Sequence, residues 1–139
     1  MRKSKLQLGD IYQIPLPNGK YAYARLYREY TIAVYKGEYI SYTELPYDED
    51  YSFFVGVYKD ILQDGEWKVI DRRPFASQDD AWAPPMCVKS SVYNKYSIYS
   101  KGEIRPSTEE ACKGLEHVAA WDRNHVVDRI MGIDKWNPK

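Results

Sequence analysis

Histidine is scarce in this chain, and so is every grouping that marks a catalytic centre. The two histidines, His117 and His125, sit eight positions apart, which fits neither a His-Glu-x-x-His helix nor a common ligand pair. No glycine-rich phosphate cradle and no Gly-x-Ser-x-Gly elbow occurs, so nothing supports a nucleotide-binding or serine-hydrolase reading. The two cysteines, Cys87 and Cys112, form no Cys-x-x-Cys pair and have no histidine at ligand spacing. The expectation is two reduced thiols, with no metal, no cofactor and no disulfide framework. Charge of one sign is not in excess either. Twenty Lys and Arg balance twenty Asp and Glu, so no overall field draws in nucleic acid or an anionic membrane. No apolar run approaches the roughly 18 residues of a membrane span. The basic opening, residues 1–5, leads into Leu6, Gln7, Leu8, Gly9 and Asp10 rather than an apolar secretory stretch, so the expected setting is the cytoplasm.

What is abundant is tyrosine, fourteen in 139 residues. Tyrosine favours pleated, half-buried surfaces and binding faces. The hydrophobic share of 44% and charged share of 29% are those of a folded globular chain rather than a disordered one, and the length suits one domain, residues 1–139.

The first half of the chain reads as a meander. Residues 10–16 alternate as a strand, with Pro15 tolerable only near its end. Asn18-Gly19 is the strongest local hairpin signal and leads into a second strand from Lys20. There Tyr21, Tyr23, Arg25 and Tyr27 share one face and Ala22, Ala24 and Leu26 the other. The small alanines imply close approach of a second layer, as in a tightly curled sheet. Residues 31–35 and 39–42 continue the strands, and residues 51–58, apolar on both faces, read as a central strand in which Gly56 marks a bulge or bend. Residues 67–70 follow the Asp64-Gly65 turn. Residues 75–85 read as a long surface excursion, then come short strands at residues 87–88 and 96–99 and a turn at Lys101-Gly102. The end is helical. Ser107 and Glu110 form a capping-box pattern for a helix at 108–113 closed by Gly114, and Asp122 or Asn124 caps a second, running to Gly132. The fold class expected is mainly β (α+β): a twisted antiparallel sheet, a small partly open barrel, with a short C-terminal helical region.

Two segments combine acids with aromatics. Glu44, Asp48, Glu49 and Asp50 are interleaved with Tyr42, Tyr47 and Tyr51 and hold no Lys or Arg, so they make a local negative patch. Asp79, Asp80 and Trp82 repeat the combination on a smaller scale. Such mixtures suit docking on a basic protein surface, because rigid rings bury area at low entropic cost while carboxylates steer encounter. The competing reading of each is a solvated loop. The stripe of Tyr21, Tyr23, Arg25 and Tyr27 has a single-strand nucleic-acid reading and a structural one, cross-strand aromatic packing, and balanced charge favours the latter. Arg129 is expected in a structural ion pair, with Glu116 as a candidate partner.

Residues 9–25, from Gly9-Asp10-Ile11-Tyr12 through Ile14-Pro15-Leu16 and the Asn18-Gly19 turn to the alternating Tyr21, Ala22, Tyr23, Ala24 and Arg25, resemble the opening of the immunity protein 26 family. Residues 125–130 following Trp121 resemble its close, so the likeness spans about a third of the chain and leaves the middle unmatched. It implies a mainly β protein of bacterial polymorphic-toxin systems that neutralises a cognate toxin domain by binding it, without catalysis. A basic nuclease toxin would make Glu44 and the acids at 48–50 sensible contacts. The opening strand also resembles that of small-barrel endoribonuclease toxins of toxin–antitoxin pairs, against which stands the lack of a basic RNA groove and of an acid/base pair.

Overall fold

Side-chain alternation at a period of two builds most of this molecule. The computed structural model describes residues 5–39, 45–46, 48–90, 92–93 and 95–133. Strands β1 (Asp10–Pro15), β2 (Tyr21–Leu26), β3 (Thr31–Tyr35) and β4 (Tyr51–Val57) run as successive antiparallel neighbours. β1 stops at Pro15, which has no N–H to give a further ladder bond. The turn after it is fixed by Asn18, whose side-chain oxygen accepts from the Lys20 N–H at 3.0 Å. Helix α1 (Lys59–Gln63), which no strong sequence signal announces, carries the chain to β5 (Lys68–Arg72) on the far side of β1. The large sheet has the order β5-β1-β2-β3-β4-β9, where β9 (Ala120–Trp121) joins β4 in parallel. It remains open. Among the described residues β5 and β9 are its two edges, so the curl expected from the alanines brings a second layer close without closing a barrel.

The sheet's inner face carries Tyr12, Ile14, Ala22, Ala24, Leu26, Ile32, Val34, Phe53, Val55 and Val57, packed against Ile61, Leu62, Trp67 and Trp121. Ala22 and Ala24 are fully buried there, as layer contact demands. Each large apolar side chain so buried contributes roughly 1.5–3 kcal/mol. The last helix, α3 (Arg123–Ile130), opens at Asp122, whose carboxylate accepts from the Arg123 N–H at 2.8 Å, and drives Val126 into this core. Its Arg129 meets Glu116 through two bonds of 2.9 and 2.7 Å while its guanidinium lies 4.1 Å from the Phe53 ring centre, the expected structural ion pair.

A second sheet was not foreseen. β6 (Met86–Ser90), β7 (Lys95–Ser100) and β8 (Glu103–Ser107) form an antiparallel triplet followed by α2 (Glu109–Cys112). Thr108, not Ser107, caps α2 by accepting from the Ala111 N–H at 3.1 Å, because β8 keeps Ser107 in its ladder. Residues 116–121 then tie the two sheets together. The Cys87 and Val118 N–H groups donate to Glu116 and Cys87 carbonyls, and two residues later Ala120 pairs with Gly56. Gly56 therefore marks a close approach rather than a bulge: a Cβ there would lie 3.0 Å from the Ala119 carbonyl oxygen, and the register shift falls at Val34 and Tyr35 instead.

The expectation of two free thiols is overturned. Cys87 and Cys112 form a disulfide with their Cα atoms 5.3 Å apart. Spacing along the chain concealed this, because the two hairpin reversals between β6 and α2 return the chain to its starting point. Among the described residues no helix is long and apolar enough to cross a membrane.

Candidate partner interface

The strand period that buries Ala22 and Ala24 on one side places Tyr23 and Arg25 on the other, with Tyr27 just beyond the end of β2. Register adds Ile11 and Gln13 from β1, Tyr35 from β3, and Tyr51 and Phe54 from β4. This outer face is covered, not open. Tyr23 and Tyr35 are buried, and the Tyr27 ring packs on Tyr51, Phe54 and Phe75 at centroid distances of 6.1, 5.0 and 4.7 Å. Aromatic packing is thus the role of the stripe. Only Tyr21 of its rings is part-exposed, and one ring makes no platform for successive bases, which takes away the ground for the single-strand nucleic-acid reading.

Arg25 is the centre of that cover. Its guanidinium donates to the Arg73 carbonyl at 2.6 and 3.0 Å, to the Pro74 carbonyl at 3.1 Å and to the Tyr51 hydroxyl at 3.2 Å. Its plane lies 3.8 Å from the centre of the Phe75 ring. A lysine could not satisfy so many fixed acceptors at once.

Glu49 closes the face from above. Its carboxylate accepts from the Tyr35 hydroxyl at 2.6 Å, the Tyr51 hydroxyl at 2.9 Å, Arg73 at 2.8 Å and Arg25 at 3.3 Å. Burial works to raise its pKa, but the hydrogen bonds from Tyr35, Tyr51 and Arg73 outweigh it and leave the group below the usual carboxylate range. Burial, and then hydrogen bonding to Glu49 or to Tyr27, push the Tyr35 and Tyr51 hydroxyls far above ordinary tyrosine. The cluster therefore holds one carboxylate, two guanidinium groups and two protonated phenols at any physiological pH. A carboxylate so well satisfied is a poor general base, and its chemistry is to lock residues 49–51 onto the sheet.

Glu49, expected as a partner contact, is thus also a structural hub. Its neighbours Asp48 and Asp50 are exposed, and Asp50 makes a surface pair with Lys36 at 3.3 Å. Tyr51 is half-buried in the aromatic cover. Asp79 and Asp80 are exposed on a short 3-10 turn, with Asp79 facing Lys101 at 3.1 Å, and half-buried Trp82 lies under the Arg28 guanidinium at 4.8 Å. Glu44 and Tyr47, also expected as contacts, lie outside the described residues, as do residues 40–42 of the expected fourth strand; Tyr39 makes a bridge to Tyr21. The two acidic segments are linked through the end of β2 and the residues after it. Tyr27 touches both Tyr51 and Phe75, and Arg28 beside it donates to the Gln78 carbonyl at 3.2 Å. The uncompensated negative patch is corrected, since Arg25 from β2, Lys36 just past β3 and Arg73 just past β5 pair with Glu49 and Asp50. Sequence reading missed Arg73 and Phe75, because Phe75 was expected at the start of a surface excursion rather than under the Arg25 guanidinium.

A model of the immunity protein 26 family matches residues 7–98, about two thirds of the chain. The chain belongs to the immunity protein 26 family. No curated protein and no solved structure matches it. As an immunity protein it is of a kind that binds a cognate toxin. The match takes in the opening resemblance and most of the middle that had looked unmatched, up to residue 98, while the C-terminal likeness at 125–130 falls outside it. Arg25, Tyr35, Glu49, Tyr51, Arg73 and Phe75 all lie inside the matched range of the immunity protein, whereas α2, β9 and α3 lie beyond it.

Proposed function

We propose that this immunity protein, acting as one unit of 139 residues, neutralises a bacterial toxin domain of a polymorphic-toxin system by stoichiometric occlusion and without catalysis. The surface offered to the toxin is the face formed by residues 48–51 and 75–82, with Trp82 and Tyr51 as anchors and Asp48, Asp50, Asp79 and Asp80 as steering charges; Glu44 and Tyr47 are contacts proposed from sequence. The observation that carries this reading is the four-fold hold on Glu49. It fixes an acidic loop in advance, so that little ordering entropy is lost when a partner docks. A basic toxin, such as a nuclease, would dock by taking over the surface pairs of Asp50 and Asp79 with Lys36 and Lys101.

Co-expression with the product of the adjacent upstream reading frame tests this by growth rescue and co-purification. The double variant D48N/D50N is expected to slow association and lessen its salt dependence, and Trp82→Ala to speed dissociation. Unchanged kinetics in both variants would take this face out of the interface. The proposed setting is the cytoplasm. The Cys87–Cys112 bond favours an oxidising compartment instead, and the alkylation state of the two cysteines in rapidly quenched cells distinguishes the settings.

A further inference from the structure

The small sheet has one protected edge and one bare edge. Outside β6, residues 116–118 occupy the ladder through the bonds at Cys87. On the other side β8 has no strand beyond it among the described residues, and its Ile104 is 62% exposed. A β-branched apolar side chain on a bare edge is what folded proteins ordinarily avoid.

The hairpin geometry says which groups face outward. Lys101 and Gly102 both have positive φ, 50° and 83°, the two-residue turn that makes Ser100 and Glu103 a hydrogen-bonded pair. Bonded and non-bonded pairs alternate, so Glu103, Arg105 and Ser107 bond inward to β7, while Ile104 and Pro106 turn their backbone groups to the free edge. Proline, lacking an N–H, fits an outward position at no cost to the β7 ladder.

The geometry points to a second copy of this chain as the occupant, joined β8 to β8 in antiparallel register about Ile104. That register sets Ile104 opposite Ile104 of the other copy and pairs each Glu103 with the opposing Arg105 on one face. The charges are self-complementary: Glu103 and Arg105 flank Ile104 and already share a 2.7 Å ion pair within one strand, both largely exposed. Two Ile104 N–H to carbonyl bonds close the centre, and each Pro106 carbonyl is left to accept from the opposing Gly102 N–H. The result is a six-stranded sheet whose outer edges are the two β6 strands, each already covered by residues 116–118. The contact is isologous and closes on itself, so it yields a dimer and no fibre.

The test is sedimentation equilibrium of the purified chain from micromolar to high micromolar concentration. A shift in weight-average mass from 16.3 kDa toward twice that value is expected. R105E places Glu103 opposite a glutamate and is expected to weaken association at least ten-fold, and the charge swap E103R/R105E to restore it. Circular dichroism verifies that each exposed-site variant is folded. A chain monomeric throughout, or a dimer indifferent to R105E, overturns the proposal. A monomer whose R105E variant instead loses toxin co-purification also overturns it, and assigns the edge to the toxin.

Discussion

Severing the Cys87–Cys112 bond isolates the contribution of a constraint that lies partly outside the family match. The bond closes a loop of 25 positions holding β7, β8 and most of α2. In the chain-entropy description such a loop costs the unfolded ensemble about 12 cal/mol/K, or about 3.5 kcal/mol at room temperature. C87A/C112A is therefore expected to lose about 3 kcal/mol, the removal of two small buried side chains adding a little and relaxation of the hairpins subtracting some. With urea slopes of about 1–3 kcal/mol/M, the midpoint should fall by about 1–3 M. Urea unfolding followed by tryptophan fluorescence reads this directly, because Trp67 and Trp121 sit in the main core. The wild type in strong reductant should match the double variant in buffer. If reductant and the double substitution both leave the midpoint within about 0.3 M of the wild type, the reasoning fails, since neither constraint nor packing at the pair could then matter.

Acid should destabilise the protein through Glu49. Its folded pKa is lowered, so its stabilisation is present above the ordinary carboxylate pKa and is lost as pH falls through the folded value. Glu49→Gln is expected to flatten the acid limb of stability against pH, and parallel limbs in wild type and variant would refute this. Arg25→Lys should cost about 2–3 kcal/mol by leaving the Arg73 and Pro74 carbonyls short of donors, and equal melting profiles would show that those bonds carry no net weight.

The sheet was legible where local rules act alone. Pro15 ends β1, Asn18 shapes its turn, and alanines alternating with tyrosines declare which face of β2 meets a second layer. Arg129 was expected in an ion pair with Glu116 as a candidate partner, and the two bonds between them meet that expectation. The interface was legible only as composition. Acids at 48–50 and 79–80 are visible in a string, but the pairing of Glu49 with Arg25 and Arg73, of Asp50 with Lys36 and of Asp79 with Lys101 joins residues 14 to 24 positions apart, which no window reveals. The disulfide was hidden for the same reason, and the division into two sheets because nothing local distinguishes β6 from another strand of the meander.

The strip at 116–121, laid against both sheets, has a consequence for how the molecule is made. Trp121 and Val126 fill the core built by β1 through β4, yet they come long after those strands in the chain. A nascent chain must carry an unsealed apolar sheet until Trp121 and Val126 have emerged, and a stop anywhere ahead of residue 120 would release a product whose greasy interior faces solvent. Degradation of such fragments, rather than weak inhibition by them, is the outcome the architecture dictates.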